Sequence, residues 1–490
     1  MDAAPSAATR LAALAALASI RPPMSLVAEP ERLAAFEMDA YIQHRQAPMA
    51  AVLPDTEEQV REIVRSLGRL GVPVVTRGAG TGISGGATPR ADGVMLVVTR
   101  MRRILAIDAA ARLATVEPGV PNAQVTVAAE PAGLFFAPDP SSQVVSSIGG
   151  NVAENAGGIH CLKYGLTVHN VTGLRAVDGD GDLLEVGGEA LDSPGYDLLA
   201  LLAGSEGNLG VITCASLRLL PRPEVTETLL AAFGSVKAGA EAVGAIIGAG
   251  VVPAALEMMD RVVIDACERY MALGLPKAEA LLLVEVDGGA EEAQEARGAV
   301  ERILAACGAT EVRIAKDEEE RAKLWKSRKG AFAALATVLP DYYTMDGSIP
   351  RRALPEVLEL VYALGREYGM VIGNVFHAGD GNIHPCIFYD SAKAGELERS
   401  EELGGKILEL CIEHGGTITG EHGVGIEKLK QMCLQFRDGE IATFHDVKAA
   451  FDPAGILNPG KAVPTLKRCA EWGGMHVRGG HVPRPDIPRF

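Results

Sequence analysis

The most constraining feature of the sequence is a glycine-rich stretch, RGAGTGISGG, at Arg77–Gly86. It follows an apolar run, Val72–Thr76, which predicts a buried strand. This density of glycine suits a loop whose backbone takes positive φ and passes close to a large ligand, and the N–H groups of such a loop can bind phosphate oxygens. The stretch lacks the Gly-Lys-Ser/Thr of a Walker loop, and no helix follows it as in a Rossmann fingerprint. By itself it leaves both a diphosphate site and an ordinary glycine turn open.

A second segment of small residues, Pro138–Gly158, favours a ligand site over an ordinary glycine turn. It combines glycine with serine hydroxyls and asparagine amides and carries few bulky side chains. Glycine and serine allow a ligand to approach the backbone closely, while Ser and Asn side chains supply hydrogen bonds. The composition therefore predicts a chain packed against an extended planar cofactor.

Two histidines and a Glu-His pair in the C-terminal half have the composition of a metal site. His377 and His384 flank a Gly-Asp-Gly-Asn turn, and a hairpin through that turn would bring both imidazoles together. Glu421 and His422 lie in a second glycine-rich loop. Two imidazoles and one carboxylate can hold a zinc-like divalent ion and leave positions open on it. From the spacing alone, separate hydrogen-bonded histidines are an equal alternative.

Composition restricts the class of protein. The chain has 490 residues and a formal net charge of −17, which disfavours nucleic acid or an anionic membrane as a partner. Its eight cysteines include no Cys-x-x-Cys pair, so we expect reduced thiols and neither an iron–sulfur cluster nor a zinc ribbon. Leucines at helical spacing in Leu11–Ile20 predict a short amphipathic helix instead of a signal peptide.

These motifs carry a family resemblance. Together with Gly204–Thr213 and the later segments HAGDGNIH, GEHGVG and ILNPGK, they resemble the p-cresol methylhydroxylase-type FAD-binding domain and its companion domain. From about Val52 to Cys469, the chain is similar to the family of bacterial glycolate oxidase FAD-binding subunits and D-lactate and D-2-hydroxyglutarate dehydrogenases.

The resemblance implies an α+β fold with two main domains. We expect a p-cresol methylhydroxylase-type FAD-binding domain, followed by an FAD-linked oxidase C-terminal substrate domain whose antiparallel sheet is covered by helices on one face. The expected boundaries are 1–46 for an N-terminal helical segment, 47–222 for the FAD-binding domain, 223–463 for the substrate domain with the metal site, and 464–490 for a tail. Within the substrate domain, a long helix is predicted from about Glu318 to Leu339.

The resemblance also implies roles for the polar residues of the substrate domain. The matching metal ligands are His377, His384 and Glu421, for zinc or a manganese- or iron-like ion. His422 matches the catalytic base and Arg328 the arginine that binds the substrate carboxylate, and we expect Asn382 to add a hydrogen bond to the substrate. The alternative for Arg328 is a surface charge on a basic helix turn.

We expect FAD to be bound noncovalently, because Thr81 and Ile83 stand where covalent members of the superfamily carry a histidine. The residues expected to contact FAD are Arg77, Gly78, Ala79, Gly80, Thr81, Gly82, Ser84, Gly85, Pro138, Asp139, Ser142, Ser146, Gly149, Gly150, Asn151, Asn155, Gly157, Gly158, Gly165, Glu206, Gly210, Val211, Ile212 and Asn458.

The implied activity is oxidation of a small 2-hydroxy acid by hydride transfer to flavin N5. The favoured substrate is glycolate, which would be oxidised to glyoxylate. D-Lactate is the rival substrate, while Thr344, at a position where the hydroxyglutarate enzymes carry lysine, disfavours a dicarboxylate. A noncatalytic flavin-binding subunit and a non-redox flavin transferase remain as other classes. Expected partners are a second flavin-binding subunit and an iron–sulfur subunit, in the cytoplasm and in contact with the membrane only through them.

Overall fold

The structure is a computed structural model that describes residues 6–190 and 195–465. Its chain forms two compact units. The first contains the described parts of Met1–Gly157, Leu166–Pro221 and His422–Phe490, and the second contains Gly158–Gly165 and Arg222–Glu421. Most of the predicted tail at 464–490 lies outside the described residues.

The elements follow in chain order. The helices are α1 (Ala7–Ser19), α2 (Pro30–Leu33), α3 (Glu57–Gly68), α4 (Asn122–Ala129), α5 (Ile148–Glu154), α6 (Cys161–Tyr164), α7 (Leu198–Leu202), α8 (Val236–Gly248), α9 (Arg261–Met271), α10 (Ala290–Ala306), α11 (Glu318–Lys329), α12 (Ala331–Leu335), α13 (Leu354–Tyr368), α14 (Glu396–Glu413), α15 (Leu429–Gln435) and α16 (Asp438–Phe451). The strands are β1 (Ser25–Val27), β2 (Ala50–Leu53), β3 (Val74–Arg77), β4 (Val94–Val97), β5 (Ile104–Asp108), β6 (Leu113–Val116), β7 (Leu134–Phe135), β8 (Val171–Val177), β9 (Leu183–Gly187), β10 (Val211–Arg218), β11 (Leu220–Pro221), β12 (Val225–Phe233), β13 (Ala255–Asp260), β14 (Ala280–Gly288), β15 (Ala309–Ile314), β16 (Asp341–Thr344), β17 (Gly347–Ser348), β18 (Ile372–His377), β19 (Asn382–Ile383) and β20 (Pro385–Tyr389).

The first unit contains a sheet of order β1-β2-β4-β3, in which β2, β4 and β3 run parallel. Helix α3 covers this sheet because its apolar residues recur on one face, and Val60, Ile63 and Leu67 are fully buried. Thr56 caps the helix by accepting the N–H of Gln59. Leu17 of the predicted N-terminal helix joins the same core, so the segment 1–46 is part of this unit.

A second sheet of the first unit is antiparallel, with the order β5-β6-β10-β8-β9. The predicted Asp-Gly-rich turn at Asp178–Asp182 joins β8 to β9 as a hairpin. Helices α4 and α5 supply Val125, Ile148 and Val152 to its core. This packing places α5, which lies within the small-residue segment, against the second sheet.

The chain from His422 onward belongs to the first compact unit, although the predicted substrate domain extends to residue 463. Residues around Leu457 lie beside β3 in a parallel bridge. Val74 donates its N–H to Ile456 O at 2.7 Å, and Asn458 donates its N–H to Val74 O at 2.8 Å. These bonds satisfy the free edge of β3, so the C-terminal segment completes the first sheet.

The second unit is built on an antiparallel sheet of order β15-β12-β14-β13-β18-β19-β17, with β20 pairing both β18 and β16. Its helices lie on both faces, not on one as predicted. Leu281 and Leu283 pack with Cys267 of α9, while Gly239 of α8 faces Met258 and Ala280 from the opposite side. Strands β13 and β14 are accordingly buried on both faces.

The long helix predicted at Glu318–Leu339 is divided into α11 and α12 at Gly330. A Cβ at this position would lie 2.7 Å from the sulfur of Met271 in α9, so a larger residue would displace that side chain. Glycine also weakens a helix interior, which favours a break there.

The cysteines differ from expectation at one position. Among the described residues, Cys433 is disulfide-bonded, whereas no disulfide forms at Cys161, Cys214, Cys267, Cys307, Cys386 or Cys411; Cys469 lies outside the described residues. No helix within residues 6–190 and 195–465 has the length and apolar content to cross a membrane.

Candidate active site

The predicted hairpin at the Gly-Asp-Gly-Asn turn is present and carries both histidines. His377 ends β18 and pairs with Asn382 of β19, and His384 lies between β19 and β20. Gly381 takes φ +76°, and a Cβ there would lie 2.1 Å from Ile349 O, so only glycine fits this turn. The two imidazole rings are 5.2 Å apart and nearly perpendicular. They form one cluster instead of two separate sites.

Glu421 completes the predicted cluster within the second unit. Its Oε1 lies 3.1 Å from His377 Nε2 and 3.1 Å from His384 Nε2. Asp346 positions this carboxylate by accepting the backbone N–H groups of Gly420 and Glu421 at 3.1 Å and 3.2 Å. The three predicted metal ligands therefore converge on one point.

The Nδ1 atoms of His377 and His384, which face away from Glu421, make contacts that fix the orientation of the two rings. His384 Nδ1 lies 3.2 Å from Met345 O, and His377 Nδ1 lies 2.7 Å from Glu257 Oε1. A carbonyl only accepts, so His384 Nδ1 carries a proton and Nε2 of the neutral ring is a lone pair. A lone pair facing the Glu421 carboxylate is repelled unless a proton or a cation lies between them. The donor set thus fits a divalent cation.

The charges around His377 also indicate a proton or a cation between the imidazoles and Glu421. Burial lowers the pKa of His377, but Glu257 and Glu421 outweigh burial and hold it well above its ordinary value. Burial raises the pKa of Glu257, but His377 and Arg328 outweigh burial and leave that pKa below its ordinary value. The buried carboxylates therefore require positive charge at this position, which a proton or a metal ion can supply.

Arg328 is not the surface charge that its basic helix turn allowed, because its side chain is only 2 % exposed. Its Nε donates to Glu257 Oε2 at 2.6 Å, and its plane lies over the Phe332 ring. Its Nη2 is buried and has no hydrogen-bond partner within the described chain. A buried guanidinium with an unpaired N–H₂ group can bind a carboxylate.

Asn382 is oriented by the residues around it. Its Nδ2 donates to Asp346 Oδ1 at 2.8 Å and to Gly347 O at 3.2 Å. Its Oδ1 is buried and lacks a partner among the described residues. The Oδ1 atom of Asn382 therefore remains available to accept a hydrogen bond.

The glycine-rich loop after β3 has the backbone that its composition predicted. Gly80 and Gly85 take φ of +75° and +80°. A Cβ on Gly78 would lie 2.2 Å from Ser147 Oγ, and one on Gly85 would lie 2.5 Å from Ile426 Cγ1. Ala79, Thr81 and Gly82 are half-buried, Ser84 donates to His422 O at 2.9 Å, and Arg77 donates to Met38 O at 2.7 Å.

The second small-residue segment is held by a chain of amides. Asn151 Nδ2 donates to Asn122 Oδ1 at 2.9 Å, and Asn122 Nδ2 donates to Pro138 O at 2.8 Å. Gly149 packs against Pro118, and Asn155 takes φ +51° while its Oδ1 accepts the N–H of Val168. Asp139, Ser142 and Gly150 are half-buried beside them.

Three of the predicted flavin-binding segments meet at Asn458. Its Nδ2 donates to Gly86 O at 3.0 Å and to Glu206 O at 2.6 Å. Its Oδ1, together with Ser146 Oγ and Thr76 Oγ1, is buried without a partner in the described part of the chain. Unsatisfied buried polar atoms beside glycine-lined backbone fit a polar cofactor such as FAD.

The half-buried Glu154 and the buried Glu206 form an acidic pair that the sequence did not reveal as such. Glu206 accepts the N–H groups of Val424 and Gly425, each at 2.7 Å. Burial and then the neighbouring Glu206 raise the pKa of Glu154 well above its ordinary value. Glu154 Oε2 has no partner within the described residues, and a Cβ on Gly423 would lie 2.4 Å from it.

The remaining predicted flavin contacts belong to other segments of the chain. Val211 and Ile212 point into two hydrophobic cores, and Gly210 packs on Val177 O. Gly157 ends the first part of the first unit, and Gly158 and Gly165 flank α6 in the second unit. Within that unit, Lys163 and Tyr164 of α6 hydrogen-bond to Asp287 at 2.6 Å and 2.5 Å.

Comparisons with known proteins match both halves of the chain. A model described as an FAD binding domain matches residues 48–187, and one described as FAD linked oxidases, C-terminal domain, matches residues 222–462. The glycolate oxidase subunit GlcD of Escherichia coli K12 is 54% identical over 98% of this chain and 97% of its own length. A D-lactate dehydrogenase of Archaeoglobus fulgidus is 34% identical over 86% of this chain and 94% of its own.

A solved structure supports the fold. The crystal structure of p-cresol methylhydroxylase with substrate bound superposes with a TM-score of 0.79, at 16% identity, over 94% of this chain and 98% of the other. The predicted α+β fold, with a p-cresol methylhydroxylase-type FAD-binding domain and an FAD-linked oxidase C-terminal domain, is thereby confirmed. The chain belongs to the FAD-linked oxidase family of GlcD and the D-lactate dehydrogenases, and it is an FAD-dependent oxidoreductase.

Proposed function

We propose that the chain oxidises a small 2-hydroxy acid, glycolate to glyoxylate, with noncovalent FAD and a divalent metal ion held by His377, His384 and Glu421. The observation that carries the proposal is the convergence of both Nε2 atoms on Glu421 Oε1 at 3.1 Å, with both Nδ1 atoms engaged elsewhere. Such a set leaves coordination positions open for substrate oxygens.

Oxidation of a 2-hydroxy acid needs a hydride acceptor, a base for the hydroxyl proton and stabilisation of the developing alkoxide. Bound FAD supplies the hydride acceptor at N5, and a bound divalent ion lowers the pKa of a hydroxyl group. His422 follows the ligand Glu421 in the chain and takes the hydroxyl proton in our proposal. The Nη2 group of Arg328 binds the substrate carboxylate, and Asn382 adds a hydrogen bond through Oδ1.

The flavin is assigned to the first unit. The glycine-rich loop Arg77–Gly86 and the segment Pro138–Gly158 would hold it, together with the polar atoms of Ser146 and Asn458. The expected flavin contacts of Glu206 and of Gly210, Val211 and Ile212 are part of the same proposal. Thr81 and Ile83 offer no imidazole for a covalent link, so denaturation should release intact FAD.

The choice of glycolate is supported by 54% identity to a glycolate oxidase subunit, and D-lactate is the alternative because a D-lactate dehydrogenase is 34% identical. Thr344, whose hydroxyl lies 3.5 Å from Cys386 Sγ, is neutral, and this favours a monocarboxylate over a dicarboxylate. A noncatalytic subunit or a non-redox transferase would not need two oriented imidazoles facing one carboxylate.

Electrons must leave the reduced flavin. The E. coli relative is named as a subunit, and the cysteines of this chain have no cluster spacing. We therefore propose a second flavin-binding subunit and an iron–sulfur subunit as partners in the cytoplasm, with the membrane reached only through them.

Anaerobic stopped-flow spectroscopy of the purified flavoprotein tests the proposal. Glycolate should bleach the flavin faster than D-lactate at equal concentration, and D-2-hydroxyglutarate should be slower than both. Turnover with oxygen should be slow, and an artificial dye acceptor or the iron–sulfur partner should accelerate it. Failure of every 2-hydroxy acid to reduce the flavin would reject the activity. Fast, stoichiometric peroxide formation by the chain alone would reject the need for partners.

A further inference from the structure

Glu257 joins two groups of the candidate site through one carboxylate. It lies on β13 and is paired in register with His377 of the neighbouring strand β18. Its Oε1 is 2.7 Å from His377 Nδ1, and its Oε2 is 2.6 Å from Arg328 Nε. The side chain is 1 % exposed, so both contacts form away from water.

Glu285 is a neighbouring carboxylate whose hydrogen-bond partners, which include His160 Nε2 at 3.3 Å, contain no proposed metal ligand. Glu285 lies on the same face of the sheet, two register positions away, and is 2 % exposed. It accepts from Trp325 Nε1 at 2.6 Å and from Arg321 Nε at 3.0 Å. Neither of these two donors is a proposed metal ligand. Glu257 differs because one of its partners is a ring whose other nitrogen faces Glu421.

We propose that Glu257 is a positioning residue that sets the proposed metal site and the proposed substrate arginine at once; this rests on the function proposed above. By accepting from His377 Nδ1, it leaves Nε2 of that ring as the lone pair directed at the metal position. By accepting from Arg328 Nε, it fixes the guanidinium so that the unpartnered Nη2 remains available to a carboxylate.

Charge balance gives a second reason for an acid at this position. A divalent ion with Glu421 alone would leave one excess positive charge in a buried site, and Arg328 would add another. Glu257 cancels one of these charges, and the buried Asp346 carboxylate and a monocarboxylate substrate add further negative charge. Uncompensated charge is costly where water is excluded, so removal of Glu257 should weaken binding of the metal even though it is not a ligand.

The test is a metal-affinity measurement on FAD-loaded protein, by chelator competition with zinc and manganese in turn. Glu257→Gln keeps the shape of the side chain and removes its charge, and metal affinity should fall about 10- to 100-fold. Glu285→Gln is the matched control, because it removes a buried carboxylate from the same face, and its metal affinity should stay within about threefold of wild type. Glu257→Gln should also raise KM for glycolate.

A second variant keeps the proposal testable if Glu257→Gln folds poorly. Glu257→Asp keeps the charge but withdraws the carboxylate from His377 and Arg328, so its metal affinity should also fall. Wild-type affinity in either Glu257 variant would overturn the positioning role and leave the proposed function intact. An equal loss in Glu285→Gln would likewise reduce Glu257 to a structural residue. Wild-type protein that binds neither metal would overturn both proposals.

Discussion

Gly425→Ala is the substitution whose cost follows most directly from the structure. Gly425 has φ +52°, and a Cβ there would lie 2.0 Å from Ser84 O and 2.6 Å from the Ser84 carbonyl carbon. The same Ser84 oxygen accepts the N–H groups of Ile426 at 3.0 Å and Glu427 at 3.2 Å. The new methyl group would therefore push apart two backbone segments that are hydrogen-bonded to one another.

Two contributions set the size of the effect. An L-residue in the left-handed region costs about 1–2 kcal/mol relative to glycine. Forcing extra volume into a packed contact costs about 1–3 kcal/mol more. The free energy of unfolding should therefore fall by about 2–5 kcal/mol, a large share of the about 5–15 kcal/mol that stabilises a typical domain. Because Ser84 lies in the glycine-rich loop, flavin affinity should fall as well.

Denaturant unfolding followed by flavin fluorescence, together with the FAD-to-protein ratio after gel filtration, measures both effects. Gly439→Ala is the control: Gly439 lies in α16 without positive φ, and among the described residues no neighbouring atom lies within 4 Å of the position that the new methyl group would take. Alanine is the better helix former, so this control should gain up to about 1 kcal/mol. If Gly425→Ala unfolds within about 0.5 kcal/mol of wild type and keeps its full flavin content, the close approach to Ser84 is not real.

Four further outcomes are expected. His384→Ala should lose the bound divalent ion and glycolate oxidation while keeping FAD; elemental analysis of active wild-type protein that finds no metal would contradict this. His422→Ala should keep FAD and metal but slow flavin reduction by about 10²- to 10⁴-fold, and a near-normal rate in stopped flow would remove it from the mechanism. Arg328→Lys should weaken glycolate binding by about 1–2 kcal/mol, seen as a rise in KM of about 5- to 30-fold, whereas an unchanged KM would exclude the carboxylate contact. Burial lowers the pKa of Lys461 from 10.5 to about 7, so between these pH values the unfolded chain binds more protons than the folded chain. The free energy of unfolding should therefore rise with pH above about 7, by up to about 1.4 kcal/mol per pH unit. Lys461→Met should flatten this rise when denaturant titrations are repeated across the pH range.

Local features of the site were predictable from the sequence because short-range chemistry determines them. The turn between His377 and His384 is fixed by Gly381, and a hairpin through it brings the two rings together. The cap at Thr56 and the helix after it follow from side-chain types within four residues. The glycine-rich loop needed its glycines for positive φ and close contacts, as its composition indicated.

Features that depend on strand order were not predictable in the same way. Glu257 lies beside His377 because β13 pairs with β18, although 120 residues separate them. No periodicity reports that register; the visible signal was only an acid inside an apolar strand. The burial of Arg328 was hidden by the basic residues around it, since the helix turn alone does not tell which side faces the sheet.

The return of the chain to the first unit after Glu421 has a consequence for biosynthesis. The hydrogen bond from Asn458 to Gly86 O joins residues 372 apart in sequence. At about 5–20 residues per second, the ribosome needs about 20–75 s to make the intervening chain. During that interval β3 and the glycine-rich loop are already exposed outside the ribosome without their C-terminal neighbours. The glycine-rich loop can therefore complete its hydrogen bonds with the C-terminal segment only after translation has passed the second unit.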